Sequence, residues 1–264
     1  GGSVPEGSTV VISGSKADGS TVSCTYIASP TVGSCDLPIM TDGKWTMSST
    51  VTDPAGNTSP SGPGLDITID NVPPTAAVAP DLLPPSDTGS SNTDNVTADP
   101  TPAMSLAGAA DGETVTLTGV KSDGTTVTCS YVKSSTVDSC ELPTMSDGAW
   151  KITGSITDLA GNTSNPSPAI DMTIDTTQPV PVAPDLLPSS DNGPSNTDNI
   201  TNDTTPSFGM PNAVNGDQVT INAKKDDGTI VSCTFVKSAT VSSCDLLTLT
   251  DGTWSVDATV VDAA

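Results

Sequence analysis

The sequence predicts an all-β protein made of tandem copies of one small two-sheet sandwich. The stretch DLLPPSDTGSSNTDNVTADPTP at 81–102 returns almost letter for letter as DLLPSSDNGPSNTDNITNDTTP at 185–206. Cysteine and tryptophan also recur about 105 residues apart, the length of a small domain and far longer than one solenoid repeat. The chain has 23 Gly and 23 Pro and no apolar residues at the 3.6-residue spacing of a helix, so strands and turns are expected.

The repeat spacing divides the 264 residues into three repeats. Gly1 aligns with Leu106 and Ala264 aligns with Ala160, so the first repeat is expected to lack its leading strand and the last its closing strand. The second repeat is expected to be complete, with about seven short strands. The predicted boundaries are 1–75, 76–179 and 180–264.

Each repeat begins with a strand and a hairpin. Residues 9–14 alternate apolar and polar side chains and are followed by Asp18-Gly19, a dipeptide typical of tight β-hairpin turns. On the return strand, Cys24 and Tyr26 share the inward face, since side chains alternate across a strand.

The clearest strand runs from Trp45 to Thr52, where every second residue is polar. This period of two is typical of a half-buried antiparallel strand, with the tryptophan facing the core. A final strand at 65–69, and again at 170–174, is expected to pair with it and to complete the sandwich.

The six cysteines fall two per repeat, always with ten residues between them. This spacing differs from the Cys-x2-Cys pairs of zinc sites and predicts one local disulfide per repeat, the alternative being a pair of small buried apolar residues. Disulfides imply an oxidising compartment, and a loop this short contributes roughly 3 kcal/mol in the chain-entropy estimate. Because the pair closes a local loop, the inter-sheet disulfide of antibody domains is not expected. The predicted pairs are Cys24–Cys35, Cys129–Cys140 and Cys233–Cys244.

The formal net charge is −23, from 28 Asp, three Glu and eight Lys, with no Arg and no His. A nucleic-acid-binding protein needs a basic surface, which this composition excludes. The lack of His removes the commonest general base, so enzymatic activity is not expected. No apolar run is long enough to span a bilayer, so membrane insertion is not expected either. The excess of Asp over Glu in Gly-rich and Asn-rich loops suits turns and the oxygen cages of Ca²⁺.

Calcium is predicted at the junctions between repeats. Asp70 ends the last strand of the first repeat, and Asp81, Asp87 and the Asp158/Asn162 loop of the second repeat are expected at the same level. Each pair of carboxylates in so small a volume would repel by about 1 kcal/mol or more, which a divalent cation would relieve.

The same argument extends the set of candidate ligands. The equivalent group at the second junction is expected around Asp175, while Asp53 and Asn57 lie at the opposite pole of their repeat from Asp70, on the order of 20 Å away. The Asp-Asn pairs before the Val-Thr and Ile-Thr strands are further candidates, with turn capping as the alternative. The full set is Asp53, Asn57, Asp70, Asp81, Asp87, Asp94, Asn95, Asp158, Asn162, Asp175, Asp185, Asp191, Asp198, Asn199 and Asp262.

The ordered motifs SDTGSSNTDN, TDPAGNTS and LDITID resemble the bacterial immunoglobulin-like repeats of giant surface adhesins of Gram-negative bacteria. The resemblance covers essentially the whole chain. It implies immunoglobulin-like sandwiches arranged as an extended rod on the bacterial cell surface, stiffened by Ca²⁺ at the linkers, with the adhesive ligand bound elsewhere in the parent protein. The Cys-x10-Cys loop departs from most such repeats, which lack cysteine.

Three functions remain open on the sequence alone. The first is a stalk, whose partners are the neighbouring repeats of the same chain. The second is an adhesin module that binds a glycan or a protein, although sugar sites generally use exposed aromatic residues and each Trp here is predicted to face inward. The third is an extracellular fibre in which chains contact one another by donor-strand exchange.

Overall fold

The computed structural model describes residues 4–75, 77–89, 91–180 and 182–264. These residues form strands, turns and loops without a helix, and hence include no helix that could cross a membrane. Their contacts define two compact units, Gly1–Thr75 with Thr157–Ser164 and Ala76–Ile156 with Asn165–Ala264. The first three residues, Ala76 in the first linker, Ser90 and Pro181 in the second linker lie outside the description.

The first repeat forms one antiparallel sheet of order β2-β1-β3-β4. Its strands are β1 (Thr9–Lys16), β2 (Thr21–Ile27), β3 (Gly43–Thr52) and β4 (Leu65–Ile69). The predicted hairpin turn is confirmed, because Gly19 has a φ of +90° and donates its N–H to the Lys16 carbonyl. Trp45 is 2 % exposed, as the alternation on β3 predicts, whereas Leu65 at the start of β4 is exposed.

The second repeat is a two-sheet sandwich. A five-stranded sheet has the order β6-β12-β11-β8-β9 and faces a three-stranded sheet of order β10-β7-β5. The described residues of this repeat form eight strands, one more than expected, because two-residue strands occur in the leading segment. They are β5 (Asp81–Leu82), β6 (Val96–Thr97), β7 (Ala103–Ser105), β8 (Thr114–Lys121), β9 (Thr126–Val132), β10 (Ser139–Glu141), β11 (Gly148–Thr157) and β12 (Ile170–Ile174).

The core of the second repeat lies between these two sheets. Trp150 on β11 and Met172 on β12 are each 1 % exposed, and Met104 from the facing sheet is fully buried. Side chains of this size stabilise the fold by roughly 1.5–3 kcal/mol each when fully buried. One tryptophan per repeat therefore anchors a small core.

The third repeat again has two layers, ordered β13-β14-β17 and β16-β15-β18. Leu186, Phe208 and Ile221 are buried between them. Trp254 is only half-buried, because no strand equivalent to β12 lies beside β18 in the described residues. The strands are β13 (Asp185–Leu186), β14 (Ser207–Gly209), β15 (Gln218–Lys225), β16 (Ile230–Val236), β17 (Ser243–Asp245) and β18 (Trp254–Val261).

All three predicted disulfides are present, and no cysteine among the described residues is free. Cys129 lies on β9, an edge of the five-stranded sheet, and Cys140 lies on β10, an edge of the facing sheet. The bond therefore joins the two layers as well as closing a loop. The expectation that this pair would close a local loop in place of connecting the sheets is wrong, because a short chain segment can cross from one layer to the other at an open edge.

Candidate metal centre

The acidic loop of the second repeat is shaped by Ser86. After β5, the N–H groups of Ser86 and Asp87 both donate to the Leu83 carbonyl, which turns the chain sharply. The Ser86 hydroxyl donates to Asp99 at 2.8 Å and accepts from the Ala103 N–H at 3.0 Å. These bonds hold Asp87 in one position beneath the surface.

Asp87 is buried, with an exposure of 3 %, and is only partly hydrogen-bonded. Its Oδ2 accepts the Asn95 N–H at 3.4 Å, whereas its Oδ1 has no partner within the described residues. Burial raises the pKa of this carboxyl, and the carboxylates of Asp94 and Asp81 raise it further, although the Asn95 hydrogen bond lowers it. Two other predicted ligands, Asp94 and Asp81, therefore lie close enough to Asp87 to repel its charge.

Asn95 and Asp94 form the turn that closes over Asp87. Asn95 has a φ of +60°, a left-handed conformation that Asn tolerates better than most residues, and its carbonyl accepts the Thr173 N–H. Asp94 caps this turn by accepting the Val96 N–H at 3.1 Å. Turn capping, the alternative to metal binding, therefore accounts for one carboxylate oxygen of Asp94. The other oxygen is left for a different role.

The third repeat builds the same loop a second time. Asp191 is 2 % exposed, accepts the Asn199 N–H at 3.3 Å through Oδ2, and has an Oδ1 with no partner in the described part of the chain. Asn199 has a φ of +59°, and Asp198 caps Ile200. A buried, half-satisfied carboxylate is thus a property of both complete copies of this loop.

Strand β6 places the acidic loop of the second repeat beside the end of β12. Thr97 pairs with Ile174, which in turn pairs with Gly148 at the start of β11. The Asp175 N–H donates to the Thr97 carbonyl at 2.9 Å, and the Thr97 hydroxyl donates to the carbonyl of Ser86. Asp87 therefore lies at the end of its repeat that also carries Asp175.

The prediction that Asp87 and the Asp158/Asn162 loop meet at one level is wrong. Asp158 follows the far end of β11, a strand of ten residues that spans roughly 30 Å. The third repeat follows the same plan. The Thr201 hydroxyl donates to the Ser190 carbonyl, and Thr201 lines the same cleft as Trp254 at the start of β18, whereas Asp262 follows the end of that strand. Asp191 and Asp262 are therefore also separated.

The Asp-x-x-x-Asn loops are rigid, and their polar groups hydrogen-bond within the loop itself. In the first repeat, Asp53 accepts hydrogen bonds from Ala55 N, Asn57 N and Asn57 Nδ2. The bond from the Asn57 side chain is the main reason that the pKa of Asp53 is lowered, and Asn162 lowers the pKa of Asp158 in the same way.

The same loop in the second repeat reaches Asp70. Asn162 Nδ2 donates to the Asp70 carbonyl at 3.1 Å and to Asp158 Oδ2 at 2.9 Å. This contact agrees with the predicted meeting of Asp70 and Asn162. The Asp70 carboxylate caps the Val72 N–H at 3.0 Å, and its binding of a metal stays a prediction.

Asp175 and Asp262 lie together, as the sequence predicts for the second junction. Both line two adjoining clefts of 330 and 190 Å³. Asp217, which is 3 % exposed, lines the smaller cleft and was missed by the sequence analysis. The only available signal was an acidic residue in two of the three copies, since Glu113 and Ser8 occupy this position in the other repeats.

Among the described residues, no group of three or more acidic, cysteine or histidine side chains is already arranged around a common metal position. The unpartnered Oδ1 atoms of Asp87 and Asp191 nevertheless fit a hard cation, which binds carboxylate oxygens and completes its shell with carbonyls and water. The donor set is all oxygen, which suits Ca²⁺ and not a thiolate-preferring metal.

The fold and the repeated acidic loops define a class of protein: tandem β-sandwich domains in one chain. The family model of the bacterial Ig-like domain matches residues 74–176 and again 177–264. The chain therefore belongs to the bacterial Ig-like domain family. No curated protein matches it.

Solved structures with similar chains include other tandem domains. A tetra-tandem repeat from the extending region of a large adhesion protein is 19% identical, with a TM-score of 0.30, covering 99% of this chain and 66% of its own. A structure concerning host cell surface retention of a 1.5-MDa bacterial ice-binding adhesin is 17% identical, with a TM-score of 0.32 and coverages of 90% and 74%. The FN1–FN3 domains of chicken CNTN1 are 9% identical, with a TM-score of 0.40 and coverages of 98% and 85%. The family assignment depends on the family model and not on these structures.

Proposed function

We propose that this chain is part of the stalk of a bacterial surface adhesin, where it acts mechanically and not as an enzyme. Family membership and the three tandem repeats support this proposal. One disulfide in each repeat fits an extracellular location. Trp45 and Trp150 are buried, so neither offers the exposed aromatic surface that a sugar-binding module would use.

We further propose that Ca²⁺ binds at the acidic loops. The observation that carries this proposal is the buried, unpartnered Oδ1 of Asp87, repeated in Asp191. A buried acceptor without a partner costs about 1–3 kcal/mol, and more when it is charged. A bound Ca²⁺ would supply positive charge and accept these oxygens as ligands. Asp87 would hold it with Asp94 and Asp81 in the second repeat, and Asp191 would do so with Asp198 and Asp185 in the third.

The residues at the ends of the repeats form a second group of proposed ligands. Asp175 and Asp262 line the same clefts, and Asn162 contacts Asp70. A cation near these residues would relieve repulsion in a chain with a net charge of −23. Together with the proline-rich linkers, which favour extended conformations, it would stiffen the array into a rod.

Calorimetric titration with CaCl₂ tests the metal proposal. The wild-type chain is expected to bind Ca²⁺ and to melt at a higher temperature with calcium than with chelator. The double variant Asp87→Asn/Asp191→Asn is expected to lose binding at these loops. The matched control is Asp123→Asn/Asp227→Asn, which changes two aspartates of Asp-Gly turns that are already satisfied by backbone N–H groups. A wild-type chain that shows neither heat of binding nor a shift in melting temperature at millimolar CaCl₂ would refute calcium binding.

Small-angle scattering tests the stalk proposal. With calcium, the wild-type chain is expected to give the profile of a stiff rod, and chelation is expected to shorten its largest dimension because the linker that follows Asp70 then bends. Superimposable profiles in the two conditions, measured on protein shown to bind Ca²⁺, would contradict the stiffening role.

A further inference from the structure

Gly89 of the second repeat lies against the loop that follows β18 in the third repeat. Gly89 has a φ of +92°, and a Cβ placed there would lie 2.3 Å from the Ala263 carbonyl oxygen and 2.5 Å from the Ala264 carbonyl carbon. Both distances are far below the contacts that real Cβ atoms make, and both involve main-chain atoms and not the far end of a flexible side chain. Glycine is therefore the residue that allows this approach.

Gly89 belongs to a continuous surface at the end of the second repeat. The neighbouring Thr88 hydroxyl accepts the Ala98 N–H at 2.8 Å, and Ala98 lines the 330 Å³ cleft together with 175–179. The opposite wall of this cleft is 260–262 of the third repeat. We call Thr88, Gly89, Ala98 and 175–179 the receiving surface.

The segment that meets the receiving surface is a preformed, repeated loop. Asp262 accepts the Ala264 N–H at 3.2 Å. The same cap, from an Asp to the N–H two residues later, holds Ala55 in the first repeat at 2.9 Å and Ala160 in the second at 2.8 Å. A loop that is rigid before it docks loses little conformational entropy on docking.

We propose that the receiving surface of one repeat docks the Asp-x-Ala loop of the next, and that Gly89 sets the angle between the second and third repeats. This inference rests on the proposed stalk function and names the contact that would transmit stiffness along it. The partner is a neighbouring copy of the same domain. It is recognised through the close approach of the two main chains and not through the charges of side chains.

Residual dipolar couplings of the full 264-residue chain, measured in chelator, test the proposal. In the wild type, the second and third repeats are expected to share one alignment tensor, because docking fixes their relative orientation. Gly89→Ala is expected to give two different tensors, since the added methyl group displaces Ala263 and Ala264. A single shared tensor in Gly89→Ala, or separate tensors in the wild type, would overturn the inference.

Gly124→Ala is the matched control. Gly124 has a φ of +88°, so alanine there meets the same backbone strain, but no described atom lies within 4 Å of its Cβ position. This variant is expected to keep the shared tensor. Ala98→Lys provides a second perturbation of the receiving surface without a strained φ, and it is expected to separate the tensors as Gly89→Ala does. Because every measurement is made in chelator, loss of calcium binding cannot produce these outcomes, and a failed calcium titration leaves them unchanged.

Discussion

Cys129 and Cys140 are separated by 11 residues in sequence, yet their disulfide joins edge strands of two different sheets, with 6.1 Å between the Cα atoms. In the first repeat, Cys24 lies on β2 but Cys35 lies outside any strand, so that disulfide ties a strand to a loop. The two bonds close loops of equal length and differ in what they connect.

Removing each pair should therefore have unequal effects. Both double Cys→Ser variants are expected to lose the loop-closure contribution of roughly 3 kcal/mol. The Cys129/Cys140 variant is expected to lose more, because its two layers are then held at that edge by packing alone. Calorimetric unfolding of each variant against the wild type measures the difference. Equal losses would show that the connection between layers adds nothing to loop closure.

Asp87 should make the calcium-free protein less stable as the pH rises. Burial raises the folded-state pKa of its carboxyl above the ordinary aspartate value of 3.8, so the folded protein keeps this proton to a higher pH than the unfolded chain does. The stability that this group contributes is fully present below the ordinary aspartate value of 3.8. It is lost as the pH rises through the raised pKa. In chelator, Asp87→Asn is expected to gain stability relative to wild type as the pH rises above the ordinary aspartate value of 3.8 and through the raised pKa.

Urea midpoints across this pH range measure the effect, and Asp123→Asn is the control. The pKa of Asp123 is lowered, mainly by the hydrogen bond from the Thr125 backbone N–H, so its stabilising contribution is lost as the pH falls. The two variants are therefore expected to diverge from wild type in opposite directions. With saturating calcium, the advantage of Asp87→Asn should reverse. Parallel pH profiles for Asp87→Asn and wild type in chelator would contradict the assignment.

Lys121 should stabilise the second repeat more than Lys151 does. The Lys121 ammonium donates to Ser146 Oγ and to the Asp147 carbonyl, and lies 5.7 Å from the centroid of the Trp150 ring. Replacing it by Met keeps the aliphatic stem and is expected to cost about 1–2 kcal/mol, from the lost hydrogen bonds and cation–π contact.

The control is Lys151→Met, which breaks an ion pair with Asp171 whose two side chains are 68% and 81% exposed. Exposed pairs of this kind contribute about 0.2–1 kcal/mol, so the loss should be at the low end of that range. Chemical denaturation of both variants distinguishes them. An equal loss from both would mean that the contacts of Lys121 contribute no more than a surface pair.

Gly119 and Ile152 should behave as a coupled pair. A Cβ at Gly119 would lie 2.9 Å from Ile152 Cδ1, and the third repeat has Ala223 at this position, paired with the smaller Val256. Gly119→Ala alone is expected to destabilise by about 1–3 kcal/mol through overpacking.

Adding Ile152→Val should recover part of that loss, although Ile→Val alone typically costs about 0.5–1.5 kcal/mol. The double-mutant cycle measures the coupling from unfolding free energies. Additive effects of the two substitutions on the unfolding free energy would show that these two positions are not energetically coupled.

Much of the fold follows from local signals in the sequence. The alternation from Trp45 to Thr52 predicts β3 and its buried tryptophan, and Asp18-Gly19 predicts the β1–β2 hairpin. The spacing of the cysteines predicts the three disulfide pairs. Each of these features depends on residues close together in the chain, where side-chain period and turn chemistry are decisive.

The candidate site was less predictable. The strands β5 and β6 have two residues each, too few to show any period. The parallel pairing of β6 with β12 could not be predicted from residues that are neighbours in the sequence. Asp217 could not be predicted as a site residue, because its position holds three different residue types in the three repeats. Its burial becomes visible only when the cleft beside Asp262 is formed.

The amino-acid sequence alone predicted the number of repeats, and it established the long strands, the cysteine pairs and the identity of the acidic residues. Tertiary structure alone decided which acidic residues meet, bringing Asp87 to the end that holds Asp175 and away from the Asp158 loop. The physical reason is that alternation and turn formation act over a few residues, whereas the position of a two-residue strand is fixed by the sheet edge it joins. That edge exists only once distant parts of the chain have packed together.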